Sequence, residues 1–283
     1  MYTNNATRKH PGLVVLMIDQ SGSMENASVA NGKPLAIIAA DSINIVLSEM
    51  VKIATKPIGD DDEEVRDYQK VIIIGYGGEP TTEAQILYEG YLSDIANRYR
   101  EEKVDTIAGS LNVRNVIKPV AGYVTPMSSA FEIAKQQISK WKSEGKDSTE
   151  DPSPIIINIT DGAPTDEDGY PTEDALKKTA KEANEIMNIP FPDGSPRIFN
   201  VMISQLDGKE VRFPDNANML EEDPFAQFLF NISSDMTDDL RSDISARGLG
   251  SPGVNSKILM MNVNDPNALV NILRVGTKAK KMR

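Results

Sequence analysis

Asp19-Gln20-Ser21-Gly22-Ser23 sets one acid and two hydroxyls within five residues, directly after the apolar run Leu13-Val14-Val15-Leu16-Met17-Ile18. An oxygen-only set of this kind suits a hard divalent cation, because carboxylate, hydroxyl and water are the ligands that Mg²⁺ and Mn²⁺ prefer. A second acid, Asp161, follows Pro154 to Ile159, a run that is apolar apart from Asn158, and lies in Thr160-Asp161-Gly162-Ala163-Pro164-Thr165-Asp166. Between them in the chain, Thr125 stands in Gly122-Tyr123-Val124-Thr125-Pro126-Met127, just before a helical pattern. Asp166 reads as a turn or capping residue of the same loop.

Donors of this kind need a scaffold, and the apolar pattern supplies one. Apolar runs alternate with helical patterns along most of the 283 residues, the signature of βαβ units: an α/β fold with a single doubly wound, mainly parallel sheet covered by helices on both faces. Leu13 to Asp19 reads as the first strand and Leu35 to Ala54 as a long helix with an apolar face at Leu35, Ile38, Ala39, Ile43, Val46, Leu47 and Met50. Val71 to Gly75 and Ala84 to Leu92 read as an antiparallel hairpin, hence an antiparallel edge strand, joined by Gly77-Gly78-Glu79-Pro80. A helix from Pro126 to Ser143, a strand from Pro154 to Ile159, a helix from Thr172 to Met187 and a strand from Arg197 to Ile203 follow. Asp223 to Phe230 and Met236 to Ala246 read as short helices, Lys257 to Val263 as a strand, and Pro266 to Val275 as a final helix behind Asn264-Asp265-Pro266. In open parallel sheets, ligands collect beyond the carboxyl ends of the strands, where Asp19 and Asp161 both fall.

The organisation that emerges is a polar N-terminal arm over 1–11, one domain over 12–277 with insertions near 95–120 and 207–253, and a basic tail over 278–283. Ile95 to Lys118 carries little periodicity and reads as an insertion packed over one edge of the sheet. Asp60 to Glu64 reads as a solvated loop, and Lys278, Lys280, Lys281 and Arg283 as a solvated tail. Phe213, Phe225, Phe228 and Phe230 are core residues by default.

Composition removes several chemistries. The chain has no cysteine, so disulfides, thiolate nucleophiles and zinc-cysteine sites are excluded. Its only histidine is His10, in the polar arm, which excludes His-based triads and His-rich metal sites and reads as a solvated side chain. A net charge of −12 disfavours nucleic acid as a partner. The apolar run before Asp19 is too short for a membrane span, and the expected location is cytoplasmic.

Asp-x-Ser-x-Ser at 19–23, a Thr before a helix at 125, and the strand-terminal Thr160-Asp161-Gly162 together resemble the metal-ion-dependent adhesion site of the von Willebrand factor A (VWA) family. The resemblance implies a metal site made by Asp19, Ser21, Ser23, Thr125 and Asp161, holding Mg²⁺ with Mn²⁺ as the alternative. It also implies an open coordination position that takes an Asp or Glu from a protein partner. Tyr123 and Val124 depart from the glycine pair many relatives carry before the Thr, which leaves Ser128 and Ser129 as substitute donors. Asp19 to Met24 and Thr160 to Asp166 further resemble the bacterial cytoplasmic TerY-like proteins associated with tellurite resistance. That resemblance implies a stress-response or defence setting with a phosphatase and a kinase.

Two function classes follow. One is a non-enzymatic, Mg²⁺-dependent protein-binding module, in which the final helix is a candidate for movement on binding. The other is a metal-dependent phosphoryl-transfer enzyme with Asp19 as strand-end nucleophile. Ser21 stands where such an enzyme wants a second acid. A plain strand-to-loop turn would leave Thr125 and Asp161 unexplained.

Overall fold

The computed structural model describes residues 2–28, 32–58, 62–78, 83–107, 109–204, 209–220, 223–263 and 266–277. In chain order the elements are β1 (Gly12–Asp19), α1 (Leu35–Ala54), β2 (Thr55–Pro57), β3 (Glu63–Val65), β4 (Gln69–Tyr76), β5 (Ala84–Tyr91), α2 (Leu92–Arg98), β6 (Glu101–Thr106), β7 (Gly109–Arg114), α3 (Met127–Ser143), β8 (Ile155–Thr160), α4 (Glu173–Met187), β9 (Arg197–Met202), β10 (Val211–Arg212), α5 (Pro224–Asn231), α6 (Asp238–Ala246), β11 (Leu259–Met261) and α7 (Pro266–Thr277).

Seven strands form one sheet in the order β10-β11-β9-β8-β1-β4-β5. The pairs among β11, β9, β8, β1 and β4 are parallel, while β5 and β10 run antiparallel at the two edges. Helices cover both faces, which is why every residue of β1 is buried and the strand reads as an unbroken apolar run. Val14, Leu16 and Ile18 face a core shared with α1, α6 and α7, whereas Leu13, Val15 and Met17 face α3, α4 and α5. From β1 the chain crosses by α1 to β4 on one side, and from β8 by α4 to β9 on the other. The connections therefore diverge between β1 and β8, the topological switch point where an open α/β sheet presents a crevice.

The stretch expected as an edge insertion folds as α2 and the β6–β7 hairpin. Its return segment lies on a helix, because Asn44 of α1 bonds the backbone of Val116 and Ile117 and Ser48 accepts from the Arg114 N–H. Asn44 and Ser48 are buried polar positions on α1 that this segment satisfies. The charge run is only partly a solvated loop: Glu63 and Glu64 belong to β3, and Glu64 takes a two-pronged bond from Arg8 at 2.8 and 3.1 Å. Residues 59–61, the basic tail at 278–283 and most of the Asn264-Asp265-Pro266 cap signal lie outside the described residues.

His10 departs from the solvated reading. Its side chain is 17% exposed, with Nδ1 2.8 Å from Asp151 Oδ1 and Nε2 3.3 Å from Glu150. From Tyr2 onward the arm is fastened at the amino ends of the strands. The Thr3 and Asn4 N–H groups donate to Asp193, and the Tyr2 hydroxyl donates to the Ser195 carbonyl.

Candidate metal centre

Asp19 closes β1 and is fully buried, and each of its oxygens has a donor. The Ser21 N–H donates to Oδ1 at 2.8 Å and the Thr160 hydroxyl donates to Oδ2 at 2.6 Å. Beyond Ser21 the chain makes a single 3₁₀ turn, Gly22–Glu25, that lifts Ser23 to the surface while Met24 stays in the core. Ser21 Oγ lies 3.1 Å from Ser23 Oγ, and the Ser23 hydroxyl donates to Asp161 Oδ1 at 2.8 Å. Four of the five expected residues, Asp19, Ser21, Ser23 and Asp161, are thus gathered across the switch point.

Thr125 is placed on the adjoining loop, buried but outside that string. Its N–H donates to Thr165 Oγ1 at 2.8 Å, and its carbonyl accepts from the Thr165 N–H at 3.0 Å. The Tyr123-Val124 departure is accommodated through backbone contacts. Gly22 N–H donates to the Tyr123 carbonyl, Tyr123 N–H to the Gly77 carbonyl, and Gly122 N–H to the Gln20 carbonyl, while the Tyr123 side chain is 59% exposed. Gly77 permits this approach: at φ +93° it lies so close to the neighbouring loops that a Cβ would stand 2.2 Å from the Val124 carbonyl oxygen. Ser129 is engaged elsewhere, accepting from the Ala84 N–H at 3.1 Å. Asp166 shapes its own turn by accepting from the Asp168 and Tyr170 N–H groups.

Three contributors escaped the sequence reading. Thr160 orients Asp19, Thr165 clamps Thr125, and Gly77 seats the Thr125 loop. Thr160 and Thr165 flank Asp161 in the motif already singled out, and a glycine just past a buried strand was the only signal for Gly77.

The electrostatics follow from burial without compensation. Burial first, and the nearby Asp161 second, push the Asp19 carboxyl up to about 7 against the opposing bonds from Ser21 and Thr160. Burial likewise raises Asp161. No Lys or Arg among the described residues pairs with either acid. Beside the centre, α3, α4 and the 165–168 loop line a cleft of about 740 Å³ rich in carboxylates, including Glu132, Asp166, Glu167, Asp168 and Asp174. Lys178 in that cleft is paired with Asp174 at 2.9 Å.

The donor chemistry fits a divalent ion. Ligands bound at about 2.0–2.1 Å to octahedral Mg²⁺ stand about 2.9 Å apart along each edge. The Ser21–Ser23 and Ser23–Asp161 oxygen separations of 3.1 and 2.8 Å are of that size. Two carboxylates would balance the dication, and Ser21 and Ser23 would bind without adding charge.

No family model matches the chain, and neither does any curated protein sequence. Among solved structures, the pilus adhesin SpaC from Lactobacillus rhamnosus GG superposes with a TM-score of 0.56 at 14% identity, over 97% of this chain. The chain spans 31% of the adhesin. The fold is VWA-like. Manganese-loaded Plasmodium vivax TRAP, at TM-score 0.35 and 14% identity over 69% of this chain and 58% of its own, shares less of the architecture. So does the TFIIH p34 N-terminal domain, at 0.39 and 15% over 70% of this chain and 83% of its own.

Proposed function

We propose that this chain is a non-enzymatic, Mg²⁺-dependent protein-binding module. Asp19, Ser21, Ser23 and Asp161 hold the ion, Thr125 joins them on engagement, and an Asp or Glu of the partner completes the coordination. The observation that carries this reading is the string of oxygens from buried Asp19 to half-buried Asp161 and exposed Ser23, linked at hydrogen-bond distance and opening outward. Tyr123 and Tyr170 are exposed on the loops that carry Thr125 and Asp166, and aromatic side chains of this kind are enriched at protein interfaces. The surrounding acidity supports metal dependence, since an acidic partner meets repulsion until a dication stands between the two.

The phosphoryl-transfer alternative keeps Asp19 as nucleophile. Against it, Ser21 stands where such an enzyme wants a second acid, and no basic side chain among the described residues bonds to the four donors.

From the motifs at 19–24 and 160–166 we place the module with TerY-like proteins, acting in the cytoplasm of a bacterium in stress response or defence, with a phosphatase or kinase as partner. No helix of the described residues is long and apolar enough to cross a membrane. The test is affinity capture with the wild type in Mg²⁺, the wild type in chelator, and Asp161→Ala in Mg²⁺. A partner retained only in the first condition is expected. The same partners in all three would sink the proposal.

A further inference from the structure

A row of polar side chains crosses the sheet below the candidate metal centre. The Tyr76 hydroxyl donates to Asn158 Oδ1 at 2.7 Å, Asn158 Nδ2 to Asn200 Oδ1 at 2.9 Å, and Asn200 Nδ2 to Ser233 Oγ at 2.9 Å. The Ser233 hydroxyl closes the row on the Leu229 carbonyl at 2.7 Å. All four side chains belong to residues at most 1% exposed, on the sheet face packed by α3 and α5.

Core packing does not call for this row. Apolar side chains of similar volume would fill the same space without partners, whereas a buried polar group left unpaired costs more than its bond returns. Its location suggests another role. β4 and β8 flank β1, so the bond from Tyr76 to Asn158 spans β1 where Met17 is in register with Asn158 and Asp19 with Tyr76. The Tyr76 carbonyl accepts the Gln20 N–H, and two residues beyond Asn158 the Thr160 hydroxyl holds Asp19. Both ends of the crossing bond are therefore attached to the backbone that carries the donors. The four bonds of the row run in one direction, from the Tyr76 hydroxyl to the Leu229 carbonyl, so the row ends on an acceptor.

We propose that Tyr76, Asn158 and Asn200 are positioning residues for the metal centre, bracing β4 and β8 across β1 so that Asp19, Ser21 and Asp161 keep their spacing against the pull of a dication. The proposal rests on the metal reading above. Outer partners that orient metal-binding groups change metal affinity by about 10- to 100-fold when removed. A brace acting through backbone belongs at the low end of that range.

The test is Mn²⁺ titration followed by calorimetry and by the Mn²⁺ spin-resonance line shape, alongside urea unfolding. It compares wild type, Tyr76→Phe, Ser233→Ala, Asp161→Ala and the control Ile198→Val, which trims the same core face outside the row. Expected are one Mn²⁺ site in the wild type, none in Asp161→Ala, and about 10-fold weaker binding with an altered line shape in Tyr76→Phe. A smaller loss is expected in Ser233→Ala, and unchanged affinity in Ile198→Val. Wild-type affinity and line shape in both Tyr76→Phe and Ser233→Ala would overturn the positioning role while leaving the metal reading intact. An equal loss in Ile198→Val would also overturn it, by assigning the effect to general loosening. No Mn²⁺ binding by the wild type would remove the metal reading itself. If Tyr76→Phe does not fold, Ser233→Ala decides, since it sits far from the donors.

Discussion

The two ends of the parallel strands treat buried carboxylates in opposite ways. At the amino ends, Asp151 meets His10 and the Ser148 N–H, Asp193 takes the Thr3 and Asn4 N–H groups, and Arg197 stacks 4.1 Å from the Tyr2 ring while bonding Asp239 at 3.0 Å. At the carboxyl ends, Asp19 and Asp161 face each other across the switch point with hydroxyls and backbone N–H groups for partners. One end is electrostatically complete within the chain and locks the N-terminal arm to the sheet. The other has no positive charge paired with its acids among the described residues, and under the metal reading an ion would supply it.

The largest effects come from removing charge at each end, and they carry opposite signs. Arg197→Ala strips a buried cation from Asp239 and from the Tyr2 ring, and is expected to cost about 3 kcal/mol in urea unfolding, with Mn²⁺ affinity unchanged. Asp19→Asn removes an uncompensated buried charge, and is expected to raise metal-free stability at pH 8 while abolishing the rise in melting temperature that Mg²⁺ gives the wild type. If Asp19→Asn destabilises the metal-free protein as Arg197→Ala does, the two ends are alike and the contrast fails.

That contrast was only half visible in the sequence. Asp19, Ser21, Ser23 and Asp161 were readable because each follows a strand whose burial on both faces writes it as an unbroken apolar run. The long helix α1 was readable from the helical spacing of its apolar face, whereas the order of the strands in the sheet was not written in any local pattern. What failed to show were partnerships between residues distant in sequence. His10 and Asp151 are 141 positions apart, so nothing local marks that histidine as an anchor. Asn158 looked like an interruption of an apolar strand until Tyr76 and Asn200 were found on either side of it. The β6–β7 hairpin was obscure because its residues are mostly exposed and carry no alternating apolar face.

A middle-sized effect lies in pH, again with opposite signs at the two ends. Asp19, raised to about 7 by burial and by Asp161, and Asp161, raised by burial, bind protons more tightly folded than unfolded. Their contribution is complete below the ordinary carboxylate range and is lost as pH rises toward and through about 7. Asp151 behaves in reverse. Burial works to raise it, but bonds from Ser148 and His10 outweigh burial and hold it below its ordinary value, so its contribution is lost as pH falls below the ordinary range. Metal-free protein should therefore lose urea stability between pH 5 and pH 8, and saturating Mg²⁺ should abolish that loss by replacing the protons. A flat metal-free profile over that interval would count against uncompensated acids at the carboxyl ends.

The smallest effect asks what kind of contact completes the amino end. His10 Nδ1 lies 2.8 Å from Asp151 Oδ1, and an asparagine side chain places its amide nitrogen where Nδ1 stands. His10→Ala is expected to cost about 1 kcal/mol, the net worth of one partly buried hydrogen bond, because Asp151 keeps the Ser148 N–H at 2.8 Å. His10→Asn should recover most of that loss in urea unfolding, and neither variant should change Mn²⁺ affinity. If asparagine does no better than alanine, positive charge on His10 is what Asp151 requires. The amino end would then be completed by a cation within the chain, as the carboxyl end would be by one from outside.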